Sequence, residues 1–575
     1  MHGLLAAGIV RRPWRALVAN IVVLALAAAL VPGAVDRLAV AGGLGTHARS
    51  DPDLLIVATD SRPALGDAVT RQALTVIRAR LDADSRVAEI EAAEATGDTD
   101  SALLVVRLAE LSASERQRAA EELAEGIDPG PLEVAVGGET MVQRAARDRL
   151  EDELPGLALL ALPLIAVVLV LAFGVRHAAA PLLASATGAL GAIAILGLLA
   201  RGIDLGAAGL ATATAVALAV GTEACAALRR DFVGAQGGGT HERIGHALTR
   251  VGPGVVLAAA GGALASLATI AVALPAARSA AIGGALAALL AGGSALVAMP
   301  SVLTLAEPPP DEGGGKDQRG TGRIATRLRD LAMMRPWLAW IPVIVVAGGL
   351  VIAGAHAFDP EAASDLAGDI PPSSQASRAA EIGSRAVGGE EASVLFGAPE
   401  RAGPIAREEI ASGLPWFAGL IALLGLLTAY AEMRSARIAF VRGSAAALPG
   451  LAIVGLLVLV GKGNPPLGID LGRLSEPQVS ALLVVLAAVG AVSTLRGGLG
   501  DAWTALPGTV VAGAALAVLG GSDLSGAAQA GVAVAAGLVV DLVLVRAVLV
   551  PSLDHALPFV RPRVRLPHLP SRLRR

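Results

Sequence analysis

The chain is poor in the residues that build most sites: it has one cysteine, Cys225, and aromatic residues make up only 2% of it. A single thiol excludes an intramolecular disulfide and any zinc site built on several thiolates. The bland reading of Cys225 is a small core residue, because it lies in an apolar run. Clustered basic stripes with aromatic platforms are missing and the formal charge is −4, so nucleic acid is not an expected partner. The glycine runs 237–239 and 313–315 lack the Lys-Ser or Lys-Thr and the strand–helix context of a phosphate loop. No nucleophile elbow, HExxH or Ser-His-acid set falls within one soluble segment. The expectation is a protein that is not an enzyme, does not hydrolyse ATP and holds no cofactor or metal.

What is abundant is apolar sequence, 54% of 575 residues, with 69 glycines. A soluble core of ordinary composition does not absorb that much, so the expected class is a polytopic α-helical membrane protein. Short alternating segments between aromatic girdles would mark a barrel; here the apolar runs are continuous and about 20 residues long, the length that crosses hydrocarbon as helix. Six runs come first: Trp14 to Leu30, Leu157 to Val175, Ala178 to Leu199, Gly206 to Leu228, Gly254 to Leu274 and Ala280 to Leu305. Six more follow a Pro-, Gly- and charge-rich stretch: Trp337 to Ala355, Leu414 to Ala431, Ile438 to Val460, Val479 to Leu495, Trp503 to Leu519 and Ala527 to Val550. The expected layout is a first transmembrane helix in 1–33, a domain in 34–153, helices two to six in 154–306 and a linker in 307–336. Helix seven follows in 337–356, a shorter domain in 357–413, helices eight to twelve in 414–552 and a basic tail in 553–575.

Arginines flank the first run, separate the fourth from the fifth, and crowd the linker and tail, which places these segments and both termini in the cytoplasm of a multi-pass inner-membrane protein. All five tryptophans stand at the start of an apolar run, where an amphipathic ring prefers the headgroup zone. The first run also has the basic flank and small-residue stretch of a cleaved signal peptide, an alternative that would break the symmetry of six plus six.

Between Ala34 and Glu153 there are 24 acidic and 13 basic residues, a local net of −11 that marks a solvated domain outside the membrane. Strands are expected at Asp53 to Thr59, Val87 to Ala93, Ala102 to Leu108 and Leu132 to Val136, and helices at Leu65 to Leu81 and Ser112 to Glu125. The order βαββαβ is that of a split βαβ sandwich. The second outer loop, Phe358 to Pro415, offers one helix near Gln375 to Val387 and one strand, Ser393 to Phe396.

Internal duplication is visible. Gly202-Ile203-Asp204-Leu205-Gly206 recurs as Gly468-Ile469-Asp470-Leu471-Gly472, each just before an apolar run. Pro253-Gly254 is echoed by Pro507-Gly508, and Pro300-Ser301-Val302-Leu303 by Pro551-Ser552-Leu553. Both halves start from the same side, so the repeat is parallel.

Ala219 to Glu223, Leu228 to Phe232 and Ala247 to Pro253 together resemble the fourth span, basic turn and fifth-span start of MmpL-type transporters of the resistance-nodulation-division (RND) superfamily. Val136-Gly137-Gly138 before a charged helix, and Gly537 to Asp541 with Val545-Arg546, fit the same resemblance. It implies two parallel six-helix repeats with outer α+β domains, and export of a lipid or other hydrophobic molecule driven by protons. The second half looks degenerate: where the family carries Asp-Tyr in the fourth and tenth spans, this chain has Glu223-Ala224 and Val492-Ser493, so one half of the relay reads as apolar or weakly polar. The shortened second outer domain departs from the family too.

Glu223 is the leading candidate for proton coupling. A carboxylate inside a span costs roughly 2.5 to 3.5 kcal/mol on insertion scales and needs a role or a partner. A group that gains and loses protons there can draw on about 2.3 kcal/mol per charge moved across 100 mV. The alternative is that Glu223 snorkels to the boundary or pairs with Arg229 or Arg230. Asp541 and Arg546 lie five residues apart in the last span, as a structural ion pair or as further members of the proton path. Asp204 and Asp470 read as helix caps, and Gly261-Gly262, Gly283-Gly284 and Gly292-Gly293 as close helix contacts. The partners this implies are protons and a membrane lipid or hydrophobic small molecule, with a homo-oligomer or envelope-assembly proteins left open. A transport-inactive scaffold or sensor of envelope assembly is the second reading.

Overall fold

The computed structural model describes residues 12–40, 53–59, 68–94, 101–109, 113–128, 132–203, 205–206, 208–235, 239–272, 275–306, 374–379, 402–433, 476–499, 502–519 and 525–552, with isolated positions at 111, 382 and within 445–452. Outside them fall Asp204 and Asp470, the linker and tail, the seventh run, nearly all of the ninth, and the strand expected at 393–396.

Helix α1, Pro13–Val40, leads to a small α+β unit: β1 Leu54–Thr59, α2 Ala68–Asp82, β2 Val87–Glu94, β3 Ser101–Leu108, α3 Ala113–Gly126 and β4 Glu133–Gly137. The four strands form one antiparallel sheet in the order β2-β3-β1-β4, with Leu54 opposite Val106 and Ile56 opposite both Leu104 and Val136. β1 is apolar at nearly every position because both of its faces are covered. Leu54, Ile56 and Ala58 pack with Ile77, Leu81, Ala119 and Leu123 of the two helices. Leu55 and Val57 turn the other way, onto Ala379 of the segment 374–379.

The sheet is joined to the membrane part without a linker. Gly138, at φ 99°, turns β4 directly into α4, Glu139–Phe173. A Cβ there would stand 2.8 Å from the Asp53 carbonyl oxygen, so only glycine fits both the dihedral and the space. Thr140 Oγ1 donates to that same carbonyl at 2.7 Å, tying the first turn of α4 to the start of β1.

The remaining helices are α5 Ala179–Leu199, α6 Ala208–Gly234, α7 Thr240–Arg250, α8 Gly252–Leu267, α9 Pro275–Leu305, α10 Ala402–Met433, α11 Glu476–Leu499, α12 Ala502–Leu519 and α13 Ser525–Val540, which runs on as a π-helical segment, Asp541–Leu549. Seven helical stretches among the described residues are long and apolar enough to cross a membrane: Pro13–Val35, Pro155–Phe173, Ala179–Leu199, Ala208–Gly234, Thr240–Ala271, Ala276–Leu305 and Gly531–Ser552. Pro415–Ala431, Leu482–Arg496 and Leu506–Leu516 are shorter apolar helices, so the expected count of twelve spans is not reached among the described residues.

The bundle is largely alanine-lined, and its two halves share one core. Ala258 and Ala263 of α8 and Val216 and Val220 of α6 pack with Leu483, Ala487, Ala491 and Leu538 of α11 and α13. Small residues let these backbones approach closely: a Cβ at Gly261 would meet the Thr428 methyl at 2.6 Å. A polar knot ties α1 to the first half, where Asn20 Nδ2 donates to Ser294 Oγ at 2.7 Å and Thr187 Oγ1 donates to Asn20 Oδ1 at 3.0 Å. The basic turn after α6 is itself helical: Ile244, Ala247 and Leu248 line one face of α7 and are buried.

Candidate functional site

Glu223 sits two-thirds of the way along α6 and is 1% exposed. Its position depends on α12, where Gly508 faces it: a Cβ on Gly508 would lie 2.3 Å from Glu223 Cγ. Through that gap the carboxylate reaches the guanidinium of Arg496, on α11. Arg496 Nη2 and Nε both donate to Glu223 Oε1, at 2.6 and 2.9 Å.

Arg496 is the hub of the site. Its Nη1 donates to Asp541 Oδ2 at 2.7 Å and to the Leu538 carbonyl at 3.4 Å, and its Nη2 donates to Thr509 Oγ1 at 2.5 Å. Asp541 also accepts from Ser493 Oγ at 2.8 Å, and its Oδ1 lies 3.5 Å from Arg546 Nε. Arg546 Nη2 donates to the Ser493 carbonyl. Two acids and two arginines, each at most 6% exposed, thus close a charge-balanced cluster. Burying four charges is tolerated only when each has partners, because each ion gives up several kcal/mol of hydration.

All three candidates from the sequence are brought together here, but two expectations need correction. Glu223 does not take the alternative of pairing with Arg229: that side chain donates to the Ala172 carbonyl at 2.9 Å and lies over the Phe173 ring. The side of the site that Val492-Ser493 marks in the sequence as apolar or weakly polar is charged, because α11 also supplies Arg496. The apolar run in the sequence stops at Leu495, one residue short of Arg496, which stands four positions beyond Val492, one helical turn along the same face. The π-helical segment explains why Asp541 and Arg546 act together. Five residues apart on an α-helix they would point about 140° away from each other, whereas an i→i+5 turn puts them on one side.

Among the described residues no group of three or more His, Cys, Asp and Glu could hold a metal ion. With no nucleophile next to a base, what the cluster can do is hold, lose or exchange charge between the two halves of the bundle.

The model of the MMPL family matches residues 35–337, more than half of the chain. The chain belongs to the MMPL family. It is therefore a multi-pass membrane protein of a transport family. This MMPL protein is similar to SecDF, a translocon-associated membrane protein from Thermus thermophilus, at 15% identity and a TM-score of 0.48, over 88% of this chain and 84% of that one. It is similar too to the hedgehog release protein Disp from the water bear Hypsibius dujardini, at 11% identity and a TM-score of 0.44, over 80% of this chain and 76% of that one. No curated protein matches the chain.

Proposed function

We propose that this MMPL protein uses the proton-motive force to export a lipid or other hydrophobic molecule across or out of the cytoplasmic membrane, with both termini in the cytoplasm. Membrane transport is what the family supports; the proton and the cargo class are our reading. The observation that carries it is the buried charge cluster, in which an acid of α6 meets an arginine of α11 and an acid beyond α13. A carboxylate held by an arginine across the interface between two half-bundles converts a change of protonation into a change of attraction between them. The α+β unit, fused to α4 through Gly138, is the part of the molecule that would meet cargo outside the membrane.

The test is reconstitution into vesicles carrying fluorescent acyl-chain lipids, with a pH gradient imposed. Wild type is expected to move lipid to an external acceptor only with the gradient, and Glu223→Gln to lose that dependence while keeping its fold. Equal, gradient-dependent movement by both proteins would remove Glu223 from the mechanism.

A second reading, a transport-inactive scaffold of envelope assembly, draws on the same cluster: two acids matched by two arginines also make a good static clamp. It predicts stoichiometric partner proteins and no retained lipid on purification from native membranes.

A further inference from the structure

The two acids of the cluster are not equivalent. Asp541 has both oxygens engaged, Oδ2 by Arg496 and Oδ1 by Ser493 Oγ, with Arg546 Nε alongside. Glu223 uses one oxygen only. Its Oε1 accepts from both Nε and Nη2 of Arg496, while Oε2 is fully buried and meets no hydrogen-bond donor among the described residues. Protonating a carboxylate oxygen that already accepts from a cationic donor weakens that charge-assisted contact, whereas Glu223 Oε2 has no such contact to weaken.

Among the described residues the charged groups around Glu223 are those of the cluster. From α11 Arg496 faces it, and from the segment beyond α13 Asp541 and Arg546 complete the cluster. Among the described residues α12 presents Gly508 and Thr509, and α5 presents Ser185, against Gly221 two residues before Glu223.

We propose that the cluster is a single-proton site: Glu223 alone takes up and releases a proton, at Oε2, while Asp541 stays ionised as the permanent anchor of Arg496 and Arg546. Arg496 is the positioning residue, holding Oε1 so that Oε2 is the oxygen left to react. The proton comes from water and returns to it, and no other bond changes. With both acids ionised the cluster is neutral; with Glu223 protonated it carries one positive charge, and Asp541 is then the one carboxylate that pairs with Arg496, while Glu223 Oε1 accepts only as a neutral oxygen. Proton uptake therefore loosens α6 from α11 while α11 stays bound to the last helix, so the second half moves as one body. The inference rests on the proton-coupled reading and adds to it a stoichiometry of one proton per cycle.

The experiment is infrared difference spectroscopy of the full-length protein in lipid vesicles between acidic and alkaline buffer, with either glutamate or aspartate carrying ¹³C in the side-chain carboxyl. The carboxyl band that separates wild type from Glu223→Gln is expected to shift with labelled glutamate, not with labelled aspartate, and to persist in Asp541→Asn. In Arg496→Lys, which keeps the charge but loses the fork, the band is expected to remain with a displaced pH midpoint. A band that shifts with labelled aspartate and vanishes in Asp541→Asn would overturn the assignment and leave proton coupling standing. No difference band between wild type and Glu223→Gln at any pH would overturn both. Labelling the wild-type chain keeps the result independent of whether a variant folds.

Discussion

Arg496 stands between two carboxylates, so its loss is felt twice: Glu223 and Asp541 would be left as buried like charges with no cation between them. Removing one partner of a buried pair typically costs about 3–5 kcal/mol, and the same range is the minimum expected for Arg496→Met. The companion prediction separates electrostatics from packing. Adding Glu223→Gln to Arg496→Met neutralises the acid left without a cation, Asp541 keeping Arg546, so the double variant is expected to unfold at a higher temperature than Arg496→Met alone. Thermal unfolding in mild detergent measures both. If the double variant is the less stable, the guanidinium matters through its volume and not its charge.

At the scale of the element, the α+β unit depends on a surface fork as well as on its core. Arg86, in the turn after α2, donates from Nε and Nη2 to the two oxygens of Asp84 at 2.9 and 2.8 Å, and from Nη1 to Glu122 of α3 at 2.5 Å. The hydrogen bonds from the Arg86 side chain and backbone hold the Asp84 carboxyl down to about 2 from its ordinary 3.8. A depressed acid stabilises the fold fully above its unfolded value, and the contribution is lost as the pH falls through the folded one. The unit is therefore expected to loosen between about pH 4 and 2, and Asp84→Asn to remove that part of the acid response; hydrogen exchange on α2 and β2 reports it. An unchanged acid limb in Asp84→Asn would assign the response elsewhere. This unit was legible in the sequence because its strands follow simple rules: β1 is a short apolar run between polar turns, and the strand positions expected at 53–59, 87–93 and 102–108 differ from those of β1, β2 and β3 by one residue at most. The site was half legible. Glu223, Asp541 and Arg546 stand out as charges inside apolar runs, but Arg496 closes a run and so looks like an ordinary boundary cation. The π-helical turn that aligns Asp541 with Arg546 has no signature in residue periodicity, since it exists to satisfy a tertiary charge contact. The helix α7 was missed for the opposite reason: eleven mostly polar residues carry only three apolar positions, and its stability comes from docking onto the end of α6, where Arg243 donates to the Phe232 carbonyl at 2.8 Å and stacks on its ring.

For the whole molecule, the decisive feature is that the buried charges balance only when the two halves meet. The first half brings one negative charge, Glu223; the second brings Arg496, Arg546 and Asp541, one net positive charge. Neither half alone can bury its share without an unpaired ion, while the interface beside the cluster, at Ala258, Ala263, Ala487 and Ala491, is largely apolar. Between apolar helices already in a membrane, packing of small residues gives only modest attraction, so the Glu223–Arg496 contact is expected to supply much of the specificity of half-to-half association. A protease site inserted in 307–336 and cut after the full chain has folded makes this measurable. The two fragments are expected to stay together through purification in mild detergent. Glu223→Ala, which strands a positive charge in the interface, is expected to weaken their association by about 3–5 kcal/mol, more than a hundredfold in the dissociation constant. Glu223→Gln, whose amide oxygen can still accept from Arg496, should fall between wild type and the alanine variant. Fragments that separate equally fast in all three proteins would show that small-residue packing, and not the buried charge pair, holds the halves in register.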